Sequence, residues 1–526
     1  MRDHNTVVDY IMAARIQPFY LFAIVVLAAG GIPKGYDEGG FSASVTLSSF
    51  KQDYNLIKAN WKHDPTGLAN RTANITSFGV LGAAFGALIA FFCNDKLGRL
   101  WSFRCSILVW ASGLLMQVFS SGIFGFLLFS RIWSGLGAGA LTVVSPLFLS
   151  EIAPAKTRGM TVSIYMVMLL SFLSLGFFVN YGANLHLSST RMQYRLVQSI
   201  PLIPVGLAFI GSFFMPDSPR WLASKGRHTE SVAALARLRG VGVNDPELLA
   251  EHAGVEMDSA SIAEMENASL KSTAVEVLTS PTLRSRFLLA LAMQTISQWT
   301  GGNGITYYIS DIFQYAGITG SNTSLITSGA YGLVKLLFTM IFAWGLIDMI
   351  GRRRCFMAGL SLQCATHIYM AVYFGAISDT NESASNAAVA SVFVYAIGWS
   401  IGLCTIPYIY GTELFPTKVR SLCYAVVMAA HWFFQFAVVR VTPLMLASLD
   451  KWGAYTFWAC ICASGLVILG LWAPETKGIP MERMDELFQR PWYKCGSAKV
   501  SIDIFGNSYR DGTGEKAGAL HVEKAV

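Results

Sequence analysis

Two short stretches of this chain, Asn94–Phe103 (NDKLGRLWSF) and Ile347–Phe356 (IDMIGRRRCF), carry the same D-x-x-G-R pattern, with Asp95 and Asp348 253 residues apart. A second pair of stretches is SEIAPAKTRG at 150–159 and TELFPTKVRS at 412–421, which places Glu151 and Glu413 262 residues apart. Each stretch lies between two long apolar runs. The spacing therefore predicts two similar halves with the same orientation, the parallel repeat that many two-bundle membrane proteins use.

The composition explains what surrounds these repeats. Hydrophobic residues make up 53% of the 526 and charged residues only 13%, against about a quarter charged in soluble domains. The net charge of +7 does not indicate a nucleic-acid partner, because the basic residues cluster at the ends of the apolar runs, as the positive-inside rule requires. Eight of the nine cysteines lie in or beside apolar segments without paired spacing, which argues against a disulfide framework or a zinc site.

At about 20 residues per membrane span, the apolar runs predict an all-α membrane protein with twelve transmembrane helices in two six-helix bundles. The predicted spans are 18–46, 74–93, 103–122, 124–149, 159–182, 196–215, 286–315, 324–349, 355–377, 388–412, 420–446 and 453–473. The predicted divisions are an N-terminal segment at 1–17, bundles at 18–215 and 286–473, a central loop with short helices at 216–285, and a C-terminal helix and disordered tail at 474–526.

The basic residues in the loops predict how the chain is oriented in the membrane. An even number of spans puts both termini on one side, and four basic loops fall on that side: NDKLGR, APAKTRG, IGRRR and FPTKVR. We therefore expect a multi-pass protein of the plasma membrane with both termini in the cytoplasm. The first outer loop is an exception, since it also carries Lys51, Lys58, Lys62 and Arg71.

Five motifs in a fixed order identify a family. Besides the two D-x-x-G-R stretches, the chain contains PDSPRWL at 216–222, QWTGGNGITYY at 298–308 and PETKG at 474–478. In this order, from about 18 to 490, the chain resembles the sugar porters of the major facilitator superfamily. The segment GSNTSLITSGAYGLVKLL at 320–337 is similar to the fungal quinate permeases and related sugar-acid transporters.

Helix geometry places several polar side chains at one depth. Counted from the predicted inner ends of their spans, Gln298, Lys335, Trp432 and Gln435 lie 12, 13, 12 and 15 residues in. At a rise of about 1.5 Å per residue these positions are about 18 to 22 Å deep, near the membrane midplane. Polar side chains that converge there predict a binding site, although isolated amides also hold helices together.

The resemblance implies a substrate site in the same place. By similarity to sugar porters, the residues that line it are Gln298, Asn303, Tyr307, Trp432 and Gln435. Amides offer donors and acceptors to hydroxyl groups, and an aromatic face covers the C–H side of a ring. The chain departs from the usual sugar-porter residues at Met166, Ser297, Tyr408 and His431, which predicts a differently shaped pocket.

Lys335 is the departure with the clearest chemistry. Neutral-hexose porters usually carry Asn at this position, whereas quinate-permease-like sequences resemble this chain in carrying Lys. A midplane lysine costs about 2.5–3.5 kcal/mol unless it is paired or wet. We therefore expect Lys335 to bind a substrate carboxylate. The alternative is a structural ion pair, for which Glu413 and Asp37 are candidate partners.

The stretch GIPKGYDEGG at 31–40 brings charges to the outer half of the first span. Asp37 and Arg131 lie about 27 and 30 Å from the inner ends of their helices, so they can face each other. In proton-coupled sugar porters the matching pair couples protonation of the aspartate to the conformational change. The alternative is an exposed Asp37 at the water boundary. Lys34 pairs with the carboxylate of Asp37 or Glu38 one turn on or, in the second interpretation, attracts an anion.

Acidic and basic residues at the inner helix ends predict a cytoplasmic gate. By resemblance, salt bridges between them close the inner side in the outward-open state, and weak exposed pairs suit a latch that opens in every cycle. The residues are Asp95 and Arg99, Glu151 and Arg158, Asp348 and Arg352, and Glu413 and Arg420.

The expected function is proton symport of a carboxylated polyol or sugar acid, quinate or galacturonate, by alternating access. The alternatives are a neutral hexose or pentose symporter or facilitator and a non-transporting nutrient sensor. An enzyme is not expected, because the polar residues include no paired nucleophile and base and no metal-ligand set. We expect no cofactor other than the coupling proton, lipid and a small polyol acid or sugar as partners, no nucleic acid, and a functional monomer.

Overall fold

The computed structural model describes residues 17–154, 157–266, 270–376, 382–477, 487–488, 492–495, 501–502 and 508–509. These residues are almost entirely helical; two strands of two residues each, β1 (Ser501–Ile502) and β2 (Ser508–Tyr509), pair antiparallel near the C-terminus. The N-terminal segment 1–16, most of the predicted C-terminal helix and the tail beyond 509 lie outside the described residues.

The first half contains six spans and a short helix between the first two. Their bounds are α1 Pro18–Ser44, α2 Ser48–Asp53, α3 Pro65–Leu97, α4 Arg99–Val118, α5 Phe124–Ile152, α6 Arg158–His186 and α7 Arg191–Ser212. A 3-10 turn, Lys58–Trp61, precedes α3. Four helices follow in the central segment: α8 Pro219–Ser224, α9 His228–Arg239, α10 Pro246–Glu266 and α11 Leu270–Thr279.

The second half repeats the pattern with interruptions. Its helices are α12 Pro281–Trp299, α13 Gly302–Tyr307, α14 Ile309–Tyr315, α15 Ser321–Gly345, α16 Arg352–Ala376, α17 Glu382–Gly411, α18 Thr417–Ser448 and α19 Trp452–Trp472. A helical turn, Ile347–Ile350, follows α15. Helical backbone continues past the end of α17 to Glu413. The last helix, α20, is Trp492–Cys495.

The predicted twelve-helix fold is confirmed, although the seventh span is not continuous. Ten of the described helices are long and apolar enough to cross a membrane. The other two spans are α4 and the broken α12–α14 run. Large apolar side chains such as Ile203, Leu207 and Val467 are exposed on the outside of the bundle. In a membrane these side chains face lipid, so their exposure carries no penalty.

The seventh span was predicted as one helix over 286–315, and this prediction was wrong. The helix begins earlier, at Pro281, and stops at Trp299, where Gly301 takes the left-handed conformation with φ 88°. A second short helix ends at Tyr307 before α14 begins. The run Gly301-Gly-Asn-Gly304 provides the conformational freedom for this break. Discontinuous helices near mid-depth are a common feature of transporter binding sites.

The first span is also irregular where its charges lie. It contains a 3-10 turn at Ala29–Gly31 and a π-helical turn at Asp37–Phe41. Gly35 and Gly39, one turn apart, lie against the backbone carbonyls of Leu169 and Leu173 in α6, so closely that a Cβ at either glycine would overlap them. This contact fixes the rotation of α1 and turns its charged residues into the bundle.

The internal repeat has a structural reason. The Asp217 carboxylate accepts hydrogen bonds from the backbone N–H groups of Arg99 and Leu100 at 3.1 and 3.2 Å. In the second half, Glu475 of PETKG accepts from the N–H groups of Arg352 and Arg353 at 2.9 and 3.2 Å. Each half thus uses a carboxylate from beyond its sixth span to cap the N-terminus of its third span.

The two halves contact each other at both faces of the membrane region. We call the face that holds Arg99, Arg158 and Arg352 the basic face. Near it, the Trp344 indole donates to Ser163 Oγ at 2.9 Å. At the opposite face, Arg440 donates to Asn70 at 2.9 Å and Asn184 to Asn322 at 2.5 Å. The polar residues at mid-depth are therefore enclosed between two layers of contacts.

Candidate functional site

Asp37 and Arg131 form an ion pair inside the bundle. Arg131 Nη1 contacts Asp37 Oδ1, and Arg131 Nη2 lies 3.2 Å from Oδ2. The Arg131 side chain is 3% exposed and the Asp37 side chain 20%. The structure therefore brings together the two residues predicted for proton coupling, and Asp37 is not an ordinary surface charge.

A residue of the second half joins this pair. The Tyr307 hydroxyl donates to Asp37 Oδ2 at 2.8 Å. Arg131 also donates to the carbonyl of Ile75 at 3.0 Å and stacks on the Phe41 ring, 3.8 Å from its centre. Arg131 is thus held by first-half partners whether or not Asp37 is charged, whereas the Asp37–Tyr307 bond crosses between the halves.

The predicted amide residues bind one another. Asn303 donates to Gln298 Oε1 at 3.0 Å, and Gln298 Nε2 lies 3.1 Å from Nδ1 of His431. The same Nδ1 lies 2.9 Å from Gln294 Oε1, and the Tyr408 hydroxyl lies 3.0 Å from His431 Nε2. Since Nδ1 either donates or accepts, it can satisfy only one of these amides at a time. His431 and Tyr408 were predicted to change the shape of the pocket but not to bind the substrate.

Two other predicted residues keep polar atoms without a hydrogen-bond partner. Both amide atoms of Gln435 and Nε1 of Trp432 are buried and unbonded within the described part of the chain. Tyr165 OH in α6 has the same status. Buried polar groups without partners cost about 1–3 kcal/mol each. Hydroxyl groups of a bound polyol would satisfy such atoms.

Lys335 is buried among side chains of the second half. Its side chain is fully buried, Nζ donates to Thr306 Oγ1 at 3.1 Å, and Nζ lies 3.8 Å from the centre of the Trp399 ring. Across the residues that the structure describes, no carboxylate oxygen lies within 4 Å of this Nζ. The candidate partner Asp37 is bound to Arg131 instead, and the Glu413 side chain lies outside the described residues.

The charges left without a firm role, Lys34 and Glu38, are inside the bundle. They form an ion pair of 2.7 Å one turn apart on α1, with side chains 11% and 5% exposed. Lys34 Nζ lies 4.7 Å from the centre of the Trp432 ring and 5.9 Å from that of Tyr307. Glu38 also interacts electrostatically with Lys335. The signal that could have located them is the spacing of one helical turn between Lys34, Asp37 and Glu38.

A cavity lies between the halves at this depth. Its lining includes Lys34, Asp37 and Arg131 from the first half and Tyr307 and Trp432 from the second. Of the six residues predicted to bind substrate, only Tyr307 and Trp432 line this cavity. The other four, Gln298, Asn303, Lys335 and Gln435, lie behind the cavity wall in this conformation.

Three of the residues predicted for the gate form ion pairs in the first half. Arg99 binds Asp95 at 2.6 Å and Glu151 at 2.9 Å. These ion pairs lie within one half and join the α3–α4 loop to the end of α5. Burial raises the pKa of the nearby Asp217 carboxyl, while the backbone N–H groups of Ser218, Leu100 and Arg99 oppose this. Arg158 and Arg352 begin α6 and α16 at the basic face, and the side chains of Asp348, Glu413 and Arg420 lie outside the described residues.

We expect Glu151→Gln to destabilise the protein more than Asp95→Asn. Glu151 binds Arg99 through both oxygens and is 9% exposed, whereas Asp95 is 55% exposed. Loss of a buried charged partner costs about 1–3 kcal/mol, and loss of an exposed one about 0–1 kcal/mol. Thermal unfolding of the purified protein in detergent measures both. Equal losses for the two variants would contradict the arrangement described here.

Comparison with known proteins agrees with the fold and the motifs. The family described as "Sugar (and other) transporter" matches residues 23–488. A quinate permease of Neurospora africana is 30% identical over 466 residues, covering 86% of each chain. A quinate permease of Neurospora terricola is 30% identical over 508 residues, covering 94% of each chain.

Solved structures share the architecture at low identity. The proton:xylose symporter XylE, bound to 6-bromo-6-deoxy-D-glucose, superposes with a TM-score of 0.73 at 18% identity, covering 89% of this chain and 99% of that one. An inward-open structure of XylE from E. coli gives a TM-score of 0.72, also at 18% identity, covering 89% and 100%. At this identity the likeness concerns the twelve-helix fold. The family match and the two relatives at 30% identity show that the chain belongs to the sugar transporter family of the major facilitator superfamily and is a multi-pass membrane transporter.

Proposed function

We propose that the protein is a proton symporter for a small polyhydroxy carboxylate, such as quinate or galacturonate, which it moves by alternating access. Two full-length relatives are named quinate permeases, and a structural neighbour is named a proton:xylose symporter. The proposal places the basic face and both termini in the cytoplasm, with the protein in the plasma membrane. It needs no cofactor other than the coupling proton and no second copy of the chain.

The observation that supports an acid substrate is the net charge of five residues near mid-depth, which we call the central cluster. Lys34, Arg131 and Lys335 supply three positive charges, and Asp37 and Glu38 supply two negative ones. All five are buried or nearly so. An unbalanced charge away from water is costly. A substrate with one carboxylate neutralises the cluster, while a neutral sugar leaves it positive.

The Asp37 environment supports proton coupling. When Asp37 is charged, it holds Arg131 and accepts the hydrogen bond from Tyr307 across the two halves. Protonation removes the charge that attracts Arg131 and reduces the acceptor capacity toward Tyr307. The proton therefore weakens a contact that exists only when the two halves are close together, which is the kind of differential interaction that coupling requires.

The test is uptake of labelled quinate by transporter-deficient cells that express the chain, at external pH 5 and 7.5. We expect faster uptake at pH 5, competition by galacturonate and no competition by glucose. Lys335→Asn should reduce uptake at low quinate concentration at least about tenfold, since the cluster loses the positive charge that the substrate carboxylate neutralises, an effect worth more than about 1.4 kcal/mol. Lys451→Asn is the matched control, because Lys451 lies between α18 and α19, outside the site.

A neutral monosaccharide is the second candidate substrate. The unbonded atoms of Gln435 and Trp432 suit hydroxyl groups whether or not the ligand carries a carboxylate. The named substrate of the structural neighbour, xylose, is neutral. Competition by glucose, together with an unaffected Lys335→Asn variant, would favour this candidate over the acid. Uptake that does not respond to external pH would instead favour a facilitator.

A further inference from the structure

The two lysines near mid-depth differ in access. Lys335 is fully buried and lies under Trp399, bonded to Thr306. Lys34 lines the cavity between the halves, although its ammonium nitrogen is buried over the Trp432 ring. A substrate that enters this cavity therefore meets Lys34 first.

Lys34 also lies next to side chains of both halves. It belongs to α1 of the first half, while the two rings that it contacts, Tyr307 and Trp432, belong to the second half. A carboxylate bound to Lys34 would lie beside the aromatic surfaces that cover the rest of a cyclic polyol. The same ligand would then hold the two halves together.

Glu38 occupies the position of such a carboxylate in this structure. It pairs with Lys34 at 2.7 Å and also interacts electrostatically with Lys335. Glu38 thus interacts with one lysine that lines the cavity and with one that does not. When an incoming anion competes for Lys34, the positive charge of Lys335 offers Glu38 an alternative partner.

We infer that Lys34 is the residue that receives the carboxylate of the substrate, and that Glu38 is its resident counter-ion, which shifts toward Lys335 as the substrate binds. The inference rests on the proposed acid substrate and goes beyond it, because it assigns the first contact to Lys34 rather than to Lys335. Glu38 keeps Lys34 neutralised in the absence of substrate, so the exchange of one carboxylate for another never leaves Lys34 without a partner.

Other titratable groups surround this exchange. Asp37 and Arg131 lie on the same cavity and pair with each other. A second set of groups interacts electrostatically with Glu38 or Lys34. These groups are Tyr165, Tyr307, Tyr331, Lys335, Cys404, Tyr408 and His431. Lys335 is the only lysine or arginine in this second set. It is therefore the group that can hold Glu38 after Lys34 is taken.

The experiment measures ligand-induced thermal stabilisation of the purified full-length protein. The probes are quinate and its methyl ester, which keeps the hydroxyl groups but lacks the charge. For the wild type we expect stabilisation by quinate and little by the ester. Lys34→Gln should weaken quinate binding at least about thirtyfold, as loss of one partner of a buried charge pair does, and should remove the preference over the ester. Lys34→Arg keeps the charge and should restore both.

Two further variants separate this role from a structural one. Lys34→Glu combined with Glu38→Lys keeps an ion pair of the same spacing but puts a carboxylate at the cavity, so quinate binding should be lost while the unfolding transition stays cooperative. Glu38→Gln removes the competitor and should bind quinate more tightly than the wild type. Quinate binding retained by the exchanged pair, or weakened by Glu38→Gln, would overturn the inference.

The same data separate failure of the inference from failure of the proposed function. If quinate and galacturonate both fail to stabilise the wild-type protein, the acid substrate is wrong and the inference falls with it. If an acid stabilises the wild type and the Lys34→Gln variant equally, the acid substrate stands and only the role of Lys34 is overturned.

Discussion

Asp37→Asn is expected to abolish concentrative uptake and its dependence on external pH. The variant cannot exchange a proton, and it removes the negative charge that Arg131 and Tyr307 share across the two halves. The Arg131 side chain remains in place through the Ile75 carbonyl and the Phe41 ring. The transporter should therefore still bind substrate and exchange it across the membrane, without accumulating it against a gradient.

Reconstituted vesicles measure the two activities separately. With an imposed pH gradient, we expect accumulation of labelled quinate by the wild type and none by Asp37→Asn. With equal pH and unlabelled quinate inside, both proteins should exchange label. Tyr307→Phe is a companion variant, since it removes the hydroxyl that crosses between the halves but keeps the Asp37 carboxylate. Accumulation by Asp37→Asn that still follows the pH gradient would remove Asp37 from the coupling mechanism.

Gly35→Val is expected to prevent formation of the folded transporter. A Cβ at Gly35 would overlap the carbonyl of Leu169, a backbone group that cannot rotate away. Overpacking that forces backbone shifts costs about 1–3 kcal/mol or more. Here the shift would also separate α1 from α6 and displace Lys34, Asp37 and Glu38. Folding and site geometry would be lost together.

Gly182→Val is the matched control for this prediction. Gly182 lies on α6, the same partner helix, but a Cβ there meets open space. We expect Gly182→Val to give a monodisperse protein in normal yield and Gly35→Val to give aggregated or degraded protein. Size-exclusion chromatography of the two detergent-solubilised variants measures the difference. Equal yields would show that α1 and α6 are not packed as closely as the structure places them.

The sequence by itself determined the features that depend on local chemistry and spacing. Membrane spans follow from runs of apolar residues, because every backbone group in lipid must be bonded within a helix. The repeat of Asp95 and Asp348 predicted two similar halves, and the depth of Asp37 and Arg131 predicted that they could meet, as they do.

Features that depend on which side of a helix faces which neighbour could not be predicted in this way. A count of residues gives depth but not rotation, so it placed Lys335 in the predicted substrate site and left two interpretations open for Lys34 and Glu38. Only the tertiary structure decided that Gly35 packs on α6 and turns Lys34 to the cavity, while the broken seventh span and Trp399 cover Lys335. The physical reason is that a helix rotates freely about its axis until close contacts with its neighbours fix it.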